Sequence, residues 1–386
     1  MDRWREIGIL HGEFLMEENC VLRGTLGPLC FSDAGGKPEV DDRSAAIDVK
    51  FMEAALAEAC RGIGRTLPNP AVGAVVVKGR RIMSRGWHRA AGLPHAEIEA
   101  LAGLKSPAIA RGATLYVTLE PCSTRGRTPP CTDAIIRAGI ARVVYGARDP
   151  NPAHAGRADR ILEAAGVRVT SGVLAAGCAG INEAWNKWIA TGLPFVVAKA
   201  GMTLDGQIAS PPGRRWITSE ESRRDAMRLR ATCGAILVGG ETVRTDNPRL
   251  TLRGMPGAAQ PLRAVWTRSG NLPADSRIFT DRHRAKTLVF QGVPLREVLR
   301  RLGRSGVQKV LIEGGGRTLG EAFDRGLVDR AVFYIAPILS GGGVPAVGGR
   351  GVRSNKSGWR LENVFCRMLG GDLRVEGELP GVMKIR

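Results

Sequence analysis

The stretch Pro94-His95-Ala96-Glu97, then the apolar run Ala113-Thr-Leu-Tyr-Val-Thr-Leu119, then Glu120-Pro121-Cys122-Ser-Thr-Arg-Gly-Arg-Thr-Pro129-Pro130-Cys131, decides how the chain is read. One imidazole and two thiols form a usual zinc set, and three protein ligands leave the fourth position for water. A carboxylate two residues after the histidine is the proton shuttle that such a water needs. Pro94 suits the first turn of a helix. His95 and Glu97 are therefore expected near a helix start, where their side chains diverge by roughly 200°. That divergence makes His95, Cys122 and Cys131 the expected ligands and Glu97 the expected proton carrier. Cys131 opens an apolar helical pattern after Pro129-Pro130, and a thiol at a helix N-terminus has the lowered pKa that a zinc thiolate requires.

The order His-x-Glu, Pro-Cys, Cys is the signature of zinc-dependent base deaminases. Eight residues separate the two thiols, more than in the commoner Cys-x-x-Cys. A purely structural zinc is the competing reading; it wants a fourth protein ligand, and none lies nearby in the sequence.

The 386 residues suggest two domains of ordinary size, and 44% hydrophobic residues suffice to fill their cores. No apolar run approaches a bilayer span, and the N-terminus lacks the order of a secretory signal. A cytoplasmic location with reduced thiols is expected, with Cys60, Cys178, Cys233 and Cys366 as small core residues. The formal charge of +19 attracts polyanions and phosphorylated small molecules alike and does not choose between them. The arginines are scattered rather than gathered into a nucleic-acid stripe.

Residues 1–50 carry breaker clusters such as Gly35-Gly36-Lys37-Pro38 and are expected to form a poorly ordered extension; a true start near Met52 is equally compatible. From 51 to 192, strands alternate with helices, which implies a mainly parallel sheet with helices on both faces. Residues 193–386 read as a second α/β domain. Its strand Lys309–Glu313 runs into Gly314-Gly-Gly-Arg-Thr-Leu-Gly320 and a helix. That unit has the form of a phosphate cradle, although a glycine run alone is equally a tight connection.

Taken together, the two halves resemble one family. The first carries His95-Ala96-Glu97, Thr118-Leu-Glu-Pro-Cys122, Gly126-Arg-Thr-Pro-Pro-Cys131 and Asp149-Pro-Asn-Pro152. The second carries Thr203-Leu-Asp-Gly206, Trp216-Ile-Thr-Ser219, Thr242-Val-Arg-Thr-Asp-Asn-Pro248 and Glu313-Gly-Gly315. This set resembles the bifunctional deaminase–reductase of riboflavin biosynthesis over about residues 51 to 380, and the long two-cysteine loop is that family's own form of the motif. The resemblance implies an α/β chain in which a cytidine-deaminase-like three-layer domain precedes a dihydrofolate-reductase-like domain. The first would hydrolyse an amino group of a diamino-pyrimidine bearing a phosphoribosylamino arm. The second would use NADPH to reduce the opened ribose to a ribityl chain.

Residue by residue, the resemblance gives zinc to His95, Cys122 and Cys131, proton transfer to Glu97, and the pyrimidine to Asn69 and His88. In the second domain it puts Lys199 near the reacting sugar carbon as a catalytic residue, Arg230 and Arg253 on the substrate phosphate, and Glu313 on the substrate. Met202, Trp216, Thr242, Asp246 and the loop Gly315, Gly316, Arg317, Thr318 and Leu319 fall to NADPH. It also implies a homo-oligomer formed through the reductase domain, with a phosphorylated pyrimidine as partner and neither membrane nor nucleic acid expected. The chain departs from the family at Arg214-Arg215 before Trp216, at Gly240-Glu241 before Thr242, and at Thr267-Arg268 after Trp266. Arg268 or Arg215 is therefore expected near the extra phosphate of NADPH. Two other readings compete. A nucleic-acid base deaminase would leave the second domain without a task, and a zinc-stapled binding module would leave Glu97 without one.

Overall fold

The computed structural model describes residues 42–125, 129–151, 154–208 and 216–380. The chain divides into two compact units between Ala190 and Thr191. Residues 1–41, for which a poorly ordered extension is expected, lie outside the described residues. Residues 42–50, expected to belong with them, are instead the start of helix α1 (Asp42–Cys60). Asp48 explains why. It is buried, and its two carboxylate oxygens accept from the Arg142 guanidinium at 2.9 and 2.6 Å and from the Tyr116 hydroxyl at 2.8 Å. A buried carboxylate held by a forked guanidinium ties the helix start to the sheet.

The first unit continues through β1 (Gly73–Lys78), β2 (Arg81–Trp87), α2 (Ala96–Ala102), β3 (Thr114–Leu119), α3 (Cys131–Arg137), β4 (Arg142–Ala147), α4 (Arg157–Ala164), β5 (Arg168–Ser171), α5 (Ala175–Ile181) and α6 (Glu183–Thr191). The strands form one sheet in the order β2-β1-β3-β4-β5. β1 is antiparallel to both neighbours, while β3, β4 and β5 pair in parallel. Four strands thus share a direction and β1 alone opposes them. The reversal comes from the β1–β2 hairpin, whose turn residues Gly79 and Arg80 both take positive φ, 53° and 64°, the geometry of a tight hairpin turn.

Two glycines set the layers. A Cβ on Gly73 would meet the Ala55 carbonyl oxygen of α1 at 2.1 Å, and one on Gly86 would meet the Ala100 nitrogen of α2 at 2.3 Å. Gly73 pairs with Trp87, so Gly86 faces the other side of the sheet. α1 and α2 therefore cover opposite faces, and the three-layer expectation is met.

The second unit contains β6 (Phe195–Thr203), α7 (Glu220–Ala231), β7 (Ala235–Gly239), α8 (Gly240–Asp246), β8 (Leu262–Thr267), α9 (Arg277–Thr280), β9 (Thr287–Gln291), α10 (Leu295–Arg304), β10 (Lys309–Ile312), α11 (Gly316–Asp324), β11 (Arg330–Ala336), β12 (Glu362–Leu369) and β13 (Asp372–Glu378). Its sheet runs β12-β13-β11-β6-β10-β7-β8-β9. The strands from β11 to β9 are parallel, and β13 and β12 close one side antiparallel. β10 returns to lie between β6 and β7, which makes this the place where connections leave in opposite directions. Ligands of open α/β sheets bind beyond the strand C-termini at such a point.

Among the remaining cysteines, Cys178 and Cys233 are buried as expected. Cys60 is buried in the core as expected, although disulfide-bonded rather than reduced, and Cys366 is exposed on β12 rather than in a core. No helix among the described residues is long and apolar enough to cross a membrane.

The approach of α2 to β2 is testable. Gly86→Ala should destabilise the first unit by about 1–3 kcal/mol through overpacking. Calorimetry should show its transition lowered, with bound zinc lost at the same temperature; an unchanged transition would contradict the close contact.

Candidate active sites

His95 is the N-cap of α2, with extended backbone (φ −71°, ψ 164°) and no capping bond from its side chain. Its ring is therefore free to turn toward the two thiols. Cys122 lies just past β3, and Cys131 is the first residue of α3. The His95 Nδ1 is 3.6 Å from the Cys122 Sγ and 3.3 Å from the Cys131 Sγ. All three donor atoms lie within 4.8 Å of one another. Zinc bonds of about 2.3 Å to sulfur and about 2.0 Å to nitrogen at tetrahedral angles put such donors about 3.5 Å apart, so the spacing fits the ion. The Cys131 backbone N–H donates to the Cys122 Sγ at 3.3 Å. Hydrogen bonds from Cys131 and His95 hold the Cys122 thiol well below its ordinary pKa despite burial, which favours the thiolate that a metal takes.

His95 and Cys122 open onto a cavity of about 320 Å³. Glu97, in the first turn of α2, lines it and is 3% exposed. Burial pushes its carboxyl above the usual range, and His95 opposes that. Asn69 and His88 line the same cavity. The His88 Nδ1 is 3.0 Å from the Pro94 carbonyl oxygen, which requires the proton on Nδ1; the Nε2 then accepts from the Asn69 amide at 3.0 Å. This chain of bonds fixes the Asn69 side chain and leaves its amide oxygen for a ligand.

Sequence reasoning passed over other walls of the cavity: Asp149, Asn151, His154, Trp185 and Trp188. The motif Asp149-Pro-Asn-Pro152 was a visible signal for the first two. Nothing local in the sequence marks an inner face for the two tryptophans.

In the second unit Lys199, Arg230 and Glu313 come together. Lys199 is on β6 and Glu313 directly follows β10. Arg230, in the last turn of α7, forks onto Glu313, with Nε to Oε1 at 2.6 Å and Nη2 to Oε2 at 2.5 Å, and its Nη1 donates to the Thr251 carbonyl at 3.3 Å. The sequence suggests that Arg230 and Glu313 each face substrate; in the structure they face each other. Burial works to raise the Glu313 carboxyl, but Arg230 outweighs it and holds it below the usual range. Burial pulls the Lys199 ammonium below the usual lysine range, against the nearby Glu313. The Lys199 Nζ lies 5.7 Å from the centroid of the Tyr334 ring. Arg253 is exposed, yet near enough to lower the Glu313 carboxyl as well.

The residues expected to meet NADPH are spread around the strand C-termini. Thr242 is in α8, and a Cβ on Gly315 would stand 3.2 Å from its hydroxyl. Gly315 is the N-cap of α11, with φ 37°. Gly316, Thr318 and Leu319 are buried in α11, Arg317 is exposed, and Thr318 approaches Gly239 so closely that a Cβ there would meet its Oγ1 at 2.4 Å. The α8 and α11 starts therefore lie side by side. Met202 lies at the end of β6, partly buried against the core. Trp216 is half exposed, with the Arg223 guanidinium 5.2 Å from its ring centroid. Asp246 ends α8 and is exposed. Arg268 is exposed just past β8, beside the α8 start, where a Cβ on Gly240 would meet the Thr267 Oγ1 at 2.8 Å. Arg215 lies outside the described residues.

Both units resemble known proteins. Residues 46–147 match the cytidine and deoxycytidylate deaminase zinc-binding region, and residues 194–375 match the RibD C-terminal domain. The riboflavin biosynthesis protein RibD of Aquifex aeolicus is 40% identical over 350 residues, covering 85% of this chain and 97% of that protein. The RibD of Synechocystis is 40% identical over 363 residues, covering 86% and 97%. Among solved structures, RibD of Acinetobacter baumannii superposes with a TM-score of 0.78 at 34% identity, covering 87% of this chain and 99% of the other. A diaminohydroxyphosphoribosylaminopyrimidine deaminase/5-amino-6-(5-phosphoribosylamino)uracil reductase from Thermotoga maritima gives 0.77 at 34% identity, with the same coverage. The chain belongs to the RibD family, the bifunctional enzymes of riboflavin biosynthesis that join a zinc-dependent deaminase to an NADPH-dependent reductase.

Proposed function

We propose the following division of labour. The first unit deaminates 2,5-diamino-6-(5-phosphoribosylamino)pyrimidin-4(3H)-one, and the second reduces the product's ribosyl arm to ribityl phosphate. The observation that carries the first half is the cluster of one nitrogen and two sulfurs, with the nitrogen 3.3 and 3.6 Å from the sulfurs, beside a buried carboxylate that lines a cavity. His95, Cys122 and Cys131 hold zinc, which when bound makes water a nucleophile near neutral pH. Glu97 takes a proton from the attacking water and delivers it to the departing amine. Its raised pKa suits both acts, because a group that must gain and lose a proton works best near the operating pH. Asn69, held by His88, hydrogen-bonds the pyrimidine edge and orients it. Asp149 and Asn151 line the same cavity.

In the second unit NADPH supplies the hydride. Lys199 contacts the reacting end of the sugar. Arg253 and the unused N–H groups of Arg230 meet the phosphate, and Glu313 fixes the Arg230 fork in place. The Gly315–Leu319 turn presents backbone N–H groups to the cofactor phosphates, with Met202, Trp216, Thr242 and Asp246 around it. Arg268 lies where the adenosine end of a cofactor leaving the α8 start would pass.

We also propose that like chains associate through the reductase unit. β12 is an edge strand with Val364, Phe365 and Met368 exposed, and such edges are normally covered. A cytoplasmic site of action follows from the small-molecule substrates. A nucleic-acid deaminase is disfavoured, because it gives the second unit no work.

Three outcomes test these roles. Glu97→Gln should lower deamination by a factor of about 10²–10⁴ while bound zinc and NADPH oxidation on preformed deaminated substrate persist. Mass analysis of product made with and without NADPH would separate amino-to-oxo exchange from gain of two hydrogens; deamination surviving intact in this variant would refute the Glu97 role. Arg268→Ser should shift the NADPH-to-NADH preference by about tenfold toward NADH, and an unmoved ratio would remove Arg268 from the cofactor site.

Lys199→Met should abolish reduction yet raise the Tm of the second unit at neutral pH by roughly 2–4 °C. Lys199 has its folded pKa below the unfolded value, so below that lowered pKa both states are charged and the cost of burial is fully present. As pH rises from the lowered value to the ordinary lysine pKa of about 10.4, the folded state releases its proton first and the wild type recovers stability. The Tm difference should therefore shrink across that window, as thermal scans at stepped pH would record.

A further inference from the structure

The motif Thr203-Leu-Asp-Gly206 has been given no task, although it ends the strand that carries Lys199. Its Asp205 is exposed, yet its carboxylate is fully used. Oδ1 accepts from the Thr203 hydroxyl at 2.5 Å and from the Ser340 N–H at 3.2 Å, and Oδ2 accepts from the Gly341 N–H at 2.7 Å. These bonds hold its carboxyl below the usual range. The same turn grips the following loop by its backbone. Leu204 donates to the Ile338 carbonyl at 2.8 Å, Ile208 to the Val344 carbonyl at 2.9 Å, and Ala346 to the Gly206 carbonyl at 2.9 Å.

The far side of that loop lies against the start of α11. The Gly348 N–H donates to the Gly316 carbonyl at 2.9 Å. A Cβ on Gly316 would stand 2.0 Å from the Pro345 carbonyl oxygen, and one on Gly320 would stand 2.0 Å from that of Gly348. A contact with no room for a methyl group transmits displacement directly, because packed backbone does not yield. An unbroken chain of hydrogen bonds and close contacts thus runs from Asp205 through residues 338–348 to the glycine turn.

We infer that Asp205 is a positioning residue for the dinucleotide phosphates: it fixes the 338–348 loop, and that loop sets where the backbone N–H groups at the start of α11 point. The inference rests on the reading of Gly315–Leu319 as the cofactor cradle. Asp205 itself does not touch the cofactor, so its removal affects binding rather than hydride transfer. Replacement by asparagine, which keeps one acceptor oxygen, is milder than replacement by alanine.

The test uses the full chain. NADPH binding is measured by its fluorescence without pyrimidine substrate, and turnover is measured separately; deaminase turnover and the thermal transition report that the chain is folded. Asp205→Ala should weaken NADPH binding by roughly tenfold and raise KM for NADPH likewise. kcat at saturating NADPH and KM for the pyrimidine should stay near wild type, and Asp205→Asn should fall between. Gly315→Ala, which alters the cradle itself at a left-handed residue, is the reference. If Gly315→Ala weakens NADPH binding and neither Asp205 variant does, the Asp205 inference is wrong and the cradle stands. If none of the three changes NADPH binding, the cradle reading fails and the inference with it. A loss confined to kcat would also overturn it. Should Asp205→Ala not fold, the Asn variant decides alone on the same criteria.

Discussion

Everything in the first unit depends on bringing a nitrogen and two sulfurs to one point from three separate places in the chain. Two of the three come from helix starts and the third from the end of a strand, so none can be positioned by local structure alone. The thiolate form of Cys122 is favoured by a backbone N–H at the start of α3, and His95 stands at the start of α2. The stack is tight because Gly86 lets the backbone of α2 approach that of β2, while Gly73 does the same for α1 on the opposite face. The buried polar groups around the cluster are arranged in a sequence of dependence. Pro94 fixes the tautomer of His88, and His88 fixes Asn69. A cavity whose polar walls are held in this way can distinguish the edge of a planar heterocycle without reorganising.

The second unit solves a different problem, which is how to keep several charges in a buried crevice. Lys199, Arg230 and Glu313 could not be buried singly. Together they carry one negative and two positive groups, and the forked Arg230–Glu313 pair uses both carboxylate oxygens. The surplus of positive charge is suited to a phosphorylated sugar, which brings its own negative charge when it binds. In the proposed reading the balancing charge comes with the ligand, and the ion pair frames a guanidinium for it.

Much of the first site was legible because its chemistry is compressed into short motifs. His95, Glu97, Cys122 and Cys131 could be read from residue type, order and proximity to helix starts. Asn69 and Arg230 could not; they became visible through the family resemblance alone, since a lone asparagine or arginine carries no local mark. The Arg230–Glu313 pairing was invisible because it joins residues 83 positions apart. The start of α1 was missed for a related reason: Asp48 looks like a solvated turn residue until Arg142 and Tyr116, from distant strands, are brought to it. α10 was also passed over, although Leu295, Val298, Leu299 and Leu302 are all buried on one face, the spacing expected of an amphipathic helix. The terminal hairpin was readable too, since Gly370 and Gly371, both at positive φ, make its turn.

The position of β10 has a consequence for biogenesis. It is the fifth strand of its unit to be synthesised, yet it lies between the first two. β6 and β7 therefore have no direct partner in each other and must wait, with apolar faces incomplete, until residue 312 has left the ribosome. The first unit meets no such delay, because its strands are joined in a nearly sequential order. One half can complete its sheet early in translation, while the other keeps an incomplete sheet, open to aggregation, until its central strand arrives.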